Sequence, residues 1–231
     1  MMKRILMSRL LHSQTSTARL LVDDPLKSEG TETPNVKPPS NEKVLVLGGN
    51  GFVGSHICKE ALERGLTVSS FSRSGRSSLE DSWAESVVWH QGDLLSPDSL
   101  KDLLIGVNSV ISCVGGFGSN SYMYKINGTA NINAVKAAKE QGVILRPGFI
   151  HGTRQVGSIK LPLSVIGAPL EMILKHAKVL TAIPLVGPLL IPPVHVTSVA
   201  KVAVSAATDP TFPHGIIDVY SILQHSQQKS A

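Results

Sequence analysis

Hydrophobic and polar residues alternate in blocks along most of this chain. Val44-Leu-Val-Leu47 is a continuous apolar run ending in glycine, the mark of a strand buried on both faces. A helical spacing follows over residues 52–64 and stops at Gly65, a C-cap. Thr67–Ser72 reads as a second strand, 87–90 as a third and 109–114 as a fourth. Ser96-Pro97-Asp98 has the form of an N-cap with proline at the first helical position, so a helix is expected over 97–104. A long helix is expected over 122–141, with Ile126, Ala130, Ala134, Ala137 and Ala138 toward the sheet. Residues 143–146 read as a strand, 199–207 as a helix capped by Thr197-Ser198, and 216–220 as a last strand. Strands alternating with helices predict an α/β fold with a doubly wound parallel sheet.

The junction after the first strand carries the chemistry. Gly48-Gly49-Asn50-Gly51-Phe52-Val53-Gly54 turns the chain from strand into helix. Such a turn brings backbone N–H groups to a pyrophosphate: Gly51 permits close approach, Gly54 lets the helix pack near the sheet, and the helix N-terminus favours negative charge. A dinucleotide is therefore the expected ligand. Where a ribose 2′-hydroxyl would meet an acid at the end of the second strand, this chain has Ser72-Arg73-Ser74-Gly75-Arg76. A guanidinium flanked by hydroxyls suits a 2′-phosphate, so NADP(H) is favoured over NAD(H). Gly115, Gly116 and Gly118 follow the fourth strand, at the sheet end where open parallel sheets place ligands.

Composition narrows the partners. The chain has 231 residues and a net charge of +5. Lys3, Arg4, Arg9 and Arg19 lie in the first 22 residues, which hold no Asp or Glu; the remaining residues carry +1. No basic stripe remains, so nucleic acid is not an expected partner. Residues 1–22, rich in Arg, Ser and Thr with Leu6, Met7, Leu10 and Leu11 on one helical face, have the composition of an organelle transit peptide. Mitochondrion is the first expectation and chloroplast the alternative. Residues 23–42, with four prolines, read as a flexible linker. The expected folded parts are an NAD(P)-binding domain over 43–148 and an apolar, substrate-like C-terminal subdomain over 149–231.

No uninterrupted apolar run of 18 residues is present, so no transmembrane span is expected. Cys58 and Cys113 form no Cys-x-x-Cys, and no His-x-x-x-His occurs; no metal site is expected, and the histidines read as structural. Residues 161–191 are apolar, with Glu171, Lys175, His176 and Lys178 on an expected helix. Its apolar stripe reads first as core-facing, with a hydrophobic pocket or a membrane-resting surface as the alternatives.

These residues resemble a known family. Gly48 to Gly54, Gly92-Asp93-Leu94, Asn127-Gly128-Thr129-Ala130-Asn131, Leu145-Arg146-Pro147-Gly148 and Val194-His195-Val196 are similar to motifs of the extended and atypical short-chain dehydrogenase/reductases. The narrower likeness is to mitochondrial and plastid members related to the NADPH-binding accessory subunit of respiratory complex I and to a Rossmann protein of ubiquinone biosynthesis. The resemblance implies cofactor contacts from Gly48, Gly49, Asn50, Gly51, Phe52, Val53, Gly54, Ser72, Arg73, Asp93 and Leu94. It also implies a mitochondrial inner-membrane complex as a partner.

The chain departs from that family at one place. A strand and a helix carrying Tyr-x-x-x-Lys ordinarily stand between the helix ending near Gly142 and the strand leading to Arg146-Pro147-Gly148. Here Gly142 runs directly into Val143. The residues four places after Tyr122, Tyr124 and Tyr220 are Ile126, Gly128 and Gln224, so no Tyr-x-x-x-Lys exists and no catalytic residue is assigned. A strand–helix unit of about 40 residues is expected to be missing near 142–143, with residues 143–146 filling its slot and an exposed edge lowering stability. The expected function is NAD(P)H binding in a mitochondrial membrane-associated complex, without catalytic competence. The alternatives are an NADPH-dependent oxidoreductase on a quinone-like substrate and a non-functional truncated isoform.

Overall fold

The computed structural model describes residues 41–76, 81–138, 142–156, 159–175 and 191–227. The expected transit peptide, the linker up to residue 40, and His176 and Lys178 lie outside the described residues.

Four parallel strands form the main sheet in the order β3-β2-β1-β4. They are β1 (Lys43–Leu47), β2 (Thr67–Ser72), β3 (Val88–Gln91) and β4 (Ser109–Ser112). Val44 to Leu47 are fully buried, so β1 is the centre of the core, and each such side chain contributes roughly 2 kcal/mol of burial. Helix α1 (Phe52–Glu63) packs on one face through Val53, Ile57, Cys58 and Ala61. Gly65, at φ 77°, ends it as expected. On the other face, Leu45, Leu47 and Phe71 pack with Leu94, Leu100, Ala130 and Ala134.

The expected helix over 97–104 forms as two short 3-10 turns, Pro97–Leu100 and Asp102–Leu104. Ser96 does not cap the first of them with its side chain. The expected long helix is present but is not uniform. It starts as α2 (Asn120–Met123), widens into a π-helical stretch (Tyr124–Thr129) and resumes as α3 (Ala130–Ala138).

Strand β5 (Val143–Arg146) does not fill the slot beside β4. It pairs in parallel with β10 (Gly215–Asp218), in a separate two-stranded sheet. The reason is packing: Val143, Leu145 and Ile217 bury on the apolar face of α5 (Val196–Thr208), which also packs against α1 and β4. Helix α5 thus spans the break between the two sheets. The Ser109 hydroxyl donates to the Ala207 carbonyl at 2.6 Å and fixes β4 to the helix end. This core draws on residues on both sides of position 148.

Two-residue strands β6 (Ile150–His151) and β9 (Val194–His195) pair in parallel. Between them lie an antiparallel hairpin, β7 (Thr153–Val156) with β8 (Ile159–Pro162), and α4 (Ser164–Leu174). The expected core-facing stripe is inverted on α4. Val165, Ile166, Met172 and Ile173 are 66–71% exposed, whereas Gly167 is buried. The helix turns inward because Gly167 lets it sit against the His151 ring and Glu171 reaches the same ring. His195, not Thr197 or Ser198, caps α5, accepting from the Thr197 N–H at 3.3 Å. The last described element is α6 (Val219–Gln227), directly after β10.

Candidate dinucleotide site

A cavity of about 490 Å³ opens at the C-terminal ends of β1, β2, β3 and β4. Its lining includes Gly48, Asn50, Gly51, Ser72, Arg73, Asp93 and Leu94 from the sequence-derived set. The remaining four act beneath it. Gly49 and Gly54 are packing positions: a Cβ on Gly49 would meet the Ser70 hydroxyl, and one on Gly54 would meet the Gly48 carbonyl. Val53 is buried in the core, and Phe52 lies edge-on to His56, their ring centroids 5.6 Å apart.

The turn is shaped for an anion. Gly48 has φ 84°, a conformation that favours glycine. Gly51 is the N-cap of α1 and offers no side-chain acceptor, and the first turn holds no acid. The N–H groups of the first turn are therefore left without a built-in carboxylate or hydroxyl partner, at the helix end whose N-cap residue lines the cavity. Asn50 braces the adjoining loop: its Nδ2 donates to the Ser74 hydroxyl at 2.8 Å and to the Gly75 carbonyl at 2.9 Å. Its Oδ1, on a residue that lines the cavity, is buried without a hydrogen-bond partner among the described residues. These features fit a dinucleotide.

At the end of β2, Arg73 is exposed, and its guanidinium donates to the Tyr122 hydroxyl at 3.4 Å. Ser72 and Ser74 line the cavity beside it. Arg76 stands apart from the lining and pairs with Glu85 at 3.5 Å. Beyond β3, Gly92 lies under Phe71, where a Cβ would come within 2.6 Å of the ring. Asp93 accepts from the Leu95 N–H at 3.0 Å, which holds the Gly92-Asp93-Leu94 turn open toward the cavity.

Several lining residues are outside the set of cofactor contacts expected from sequence: Phe71, Cys113, Val114, Ile126 and Ala130. The loop after β4 is held by two asparagines one helical turn apart. Asn127 exchanges hydrogen bonds with Gly116, at 2.8 and 3.0 Å. Asn131 accepts from the Ser112 hydroxyl at 2.7 Å and donates to the Val114 carbonyl at 3.2 Å. The π-helical widening at Tyr124–Thr129 aims them. Cys58, buried on α1 beside the Gly49 turn, has its thiol pushed far above the ordinary range by burial.

A second cluster lies outside the lining. His151, 1% exposed, meets Glu171 at 2.5 Å, and its ring stands edge-on to His195, with centroids 5.1 Å apart. Burial, and then His151, push the His195 pKa below the ordinary histidine value, with Glu171 acting against them and His56 alongside. The folded state therefore binds this proton less well than the unfolded state. Stability is unaffected above about pH 6.5 and falls as pH drops below it. A lower Tm at pH 5.5 than at pH 7.5 is expected, with the difference reduced in His195→Gln; an unchanged difference would contradict the assignment. Among the described residues, no group of three or more His, Cys, Asp or Glu side chains is placed to hold a metal.

The fold and the cavity define a dinucleotide-binding Rossmann protein. A family model described as NAD(P)H-binding matches residues 48–145. An uncharacterised chloroplastic protein of Arabidopsis thaliana is 36% identical over 237 aligned positions, covering 83% of this chain and 79% of that protein. The chain belongs to the same family, the NAD(P)-binding Rossmann proteins of the atypical short-chain dehydrogenase/reductase type. Because 83% of 231 residues fill 237 aligned positions, about 45 positions of that relative have no counterpart here. MIOREX complex component 2 of Saccharomyces cerevisiae is 41% identical over 78 residues, 32% of this chain and 28% of that protein. Human sterol-4-alpha-carboxylate 3-dehydrogenase, decarboxylating, is 28% identical over 140 residues, 59% of this chain and 35% of that protein. The chain thus spans about a third of the length of these last two relatives. Among solved structures, the Bordetella bronchiseptica enzyme WbmH in complex with NAD+ superposes with a TM-score of 0.52 at 15% identity, over 80% of this chain and 79% of that one. UDP-glucose 4-epimerase from Bifidobacterium longum in complex with NAD+ and UDP gives 0.50 at 17%, over 76% of each. At such identities the likeness is one of fold.

Proposed function

We propose that this protein binds NADPH in an organelle and serves a membrane-associated complex without performing the usual reductase chemistry. The observation that carries the cofactor reading is Arg73, which opens with Ser72 and Ser74 into the same cavity as the glycine turn, where no carboxylate occupies the end of β2. In this reading Gly48, Asn50, Gly51 and the N–H groups of Phe52 and Val53 receive the pyrophosphate. Gly49 and Gly54 let loop and helix close up beneath it. Arg73, Ser72 and Ser74 hold the 2′-phosphate, and Asp93 and Leu94 line the adenosine side.

When bound, NADPH supplies a hydride. The chain's own residues supply no Tyr-x-x-x-Lys to move the companion proton. The relative's additional 45 or so positions support the reading that the unit carrying such a motif is missing at 142–143, as does the failure of β5 to pair with β4. The relative named as a component of a complex supports an assembly role, and the chloroplastic relative and the acid-free leader support an organelle. Mitochondrion remains the first placement and chloroplast the second. The relative named as a dehydrogenase favours a second reading, an NADPH-dependent oxidoreductase on a hydrophobic, quinone-like substrate.

Calorimetric titration of the chain with NADPH and NADH tests the cofactor reading. NADPH is expected to bind at least about 10-fold more tightly, roughly 1.4 kcal/mol. Arg73→Glu is expected to abolish that preference while leaving NADH within a few-fold. Equal affinities in the unsubstituted chain would overturn it. NADPH consumption with a quinone would favour the second reading.

A further inference from the structure

Helix α4 is inside out. At 100° per residue, Val165, Ile166, Pro169, Leu170, Met172 and Ile173 share one continuous arc, and all are exposed. The opposite arc holds Gly167 against the His151 ring and Glu171 bonded to it. A surface helix of a water-soluble domain places these faces the other way round. The preceding hairpin extends the pattern: Ile159 and Leu161 are exposed on one face of β8, and Arg154 is the cross-strand partner of Leu161 on that same face.

The charges around this surface have one sign. Arg154, Lys160 and Lys175 are exposed, and none is in an ion pair among the described residues. Glu171, the one carboxylate in this hairpin and helix, is turned inward onto His151. An exposed apolar face bordered by unpaired cations is complementary to a bilayer carrying anionic headgroups. Its acyl boundary receives Val165, Ile166 and Ile173, and its headgroups receive the guanidinium and ammonium groups. No helix among the described residues is long and apolar enough to cross a membrane, so the contact is with the surface.

We propose that α4 and the β7–β8 hairpin dock this protein onto an anionic lipid bilayer. The His151–Glu171 contact holds α4 with its apolar arc outward, so the docking face is set by the fold before any lipid is met. The proposal goes beyond the NADPH reading and does not depend on it, because none of these residues lines the dinucleotide cavity.

Co-sedimentation of the full chain with vesicles tests it. One set is phosphatidylcholine alone, and the other contains about 30 mol% phosphatidylglycerol. Saturable binding to the anionic vesicles is expected, at least about 10-fold tighter than to the neutral ones and weakened as salt rises from about 0.05 to 0.5 M. Ile166→Ser with Ile173→Ser is expected to weaken it at least about 10-fold. Arg154→Gln with Lys175→Gln is expected to remove the preference for anionic vesicles. All four positions are exposed, so both variants should keep wild-type Tm and NADPH affinity. No vesicle binding, or equal binding to both vesicle types, would overturn the proposal. So would a dimer in sedimentation velocity that Ile166→Ser with Ile173→Ser dissociates without vesicle binding, which would make a second copy the occupant. In the unsubstituted chain, NADPH binding without vesicle binding defeats this proposal alone; vesicle binding without NADPH binding defeats the cofactor reading alone.

Discussion

Gly54→Ala is expected to destabilise the protein by about 3 kcal/mol or more, a fall in Tm of roughly 6–12 °C. The sign is the informative part. Glycine to alanine inside a helix ordinarily stabilises by about 1 kcal/mol, since alanine restricts the unfolded chain and favours the helix. At Gly54 the added Cβ would run into the Gly48 carbonyl, with the Gly48 carbonyl carbon and the Gly49 Cα at 2.8 Å. These are backbone atoms at the tightest point of the turn and cannot swing aside. Relief requires lifting α1 off the loop, which breaks the packing of Val53 and Ile57 against β1. Gly128 supplies the control: it lies in the π-helical stretch, and a Cβ there meets nothing within 4 Å. Gly128→Ala is expected to be neutral or stabilising by up to about 1 kcal/mol. Thermal melts of the two variants side by side check this, and a Gly54→Ala protein as stable as the parent would contradict the described turn.

The second large effect falls on binding alone. Gly51→Asp is expected to keep Tm within about 4 °C while weakening NADPH binding at least about 100-fold, or roughly 2.7 kcal/mol. Gly51 has φ −79° and ψ 166°, extended backbone that any residue adopts. Its Cβ would approach one atom within 4 Å, the Gly48 carbonyl oxygen at 3.2 Å, so a small local shift accommodates it. Aspartate is also a favoured N-cap, which offsets the shift by bonding the first-turn N–H groups. That bonding removes the donors a pyrophosphate would use, and the new carboxylate repels it. A protein that melts normally but no longer takes up NADPH separates the site from the fold. Retained affinity would place the dinucleotide elsewhere.

Much of this was legible in the sequence. The run from Val44 to Leu47 carried its own signal because a strand buried on both faces has no polar positions, and its glycines marked a turn that only close approach requires. Thr67–Ser72 lay between a C-cap and a polar loop, and the structure has the strand at those residues. The positions that sequence left unread depend on tertiary partners. Nothing local distinguishes a helix over 97–104 from two 3-10 turns, because the choice rests on how Leu94 and Leu100 reach the core under Phe71. The π-helical widening exists to let Asn127 and Asn131 reach a loop that lies next to them only in the folded chain. Strand β5 chose β10 over the slot beside β4 because α5 covers both members of that pair, a contact between residues far apart in sequence. The α4 stripe is ambiguous in the sequence for a related reason. Its spacing is that of any amphipathic helix, and the side that turns inward was decided by one glycine and one glutamate meeting His151.

The break between the sheets bears on function as well. The cavity is built from the ends of β1 to β4, which form one continuous sheet, and α5 supports it from beneath. The cavity proposed to hold the dinucleotide thus lies wholly on the continuous sheet, and β5 stands apart from it, paired with β10. The proposed reading, dinucleotide binding without the usual proton transfer, rests on this division.

The most direct measurement is a calorimetric titration of the full chain with NADPH, with Gly51→Asp in parallel. The account predicts one saturable site per chain in the unsubstituted protein and none in the variant. A flat titration of a protein that melts cooperatively would contradict it.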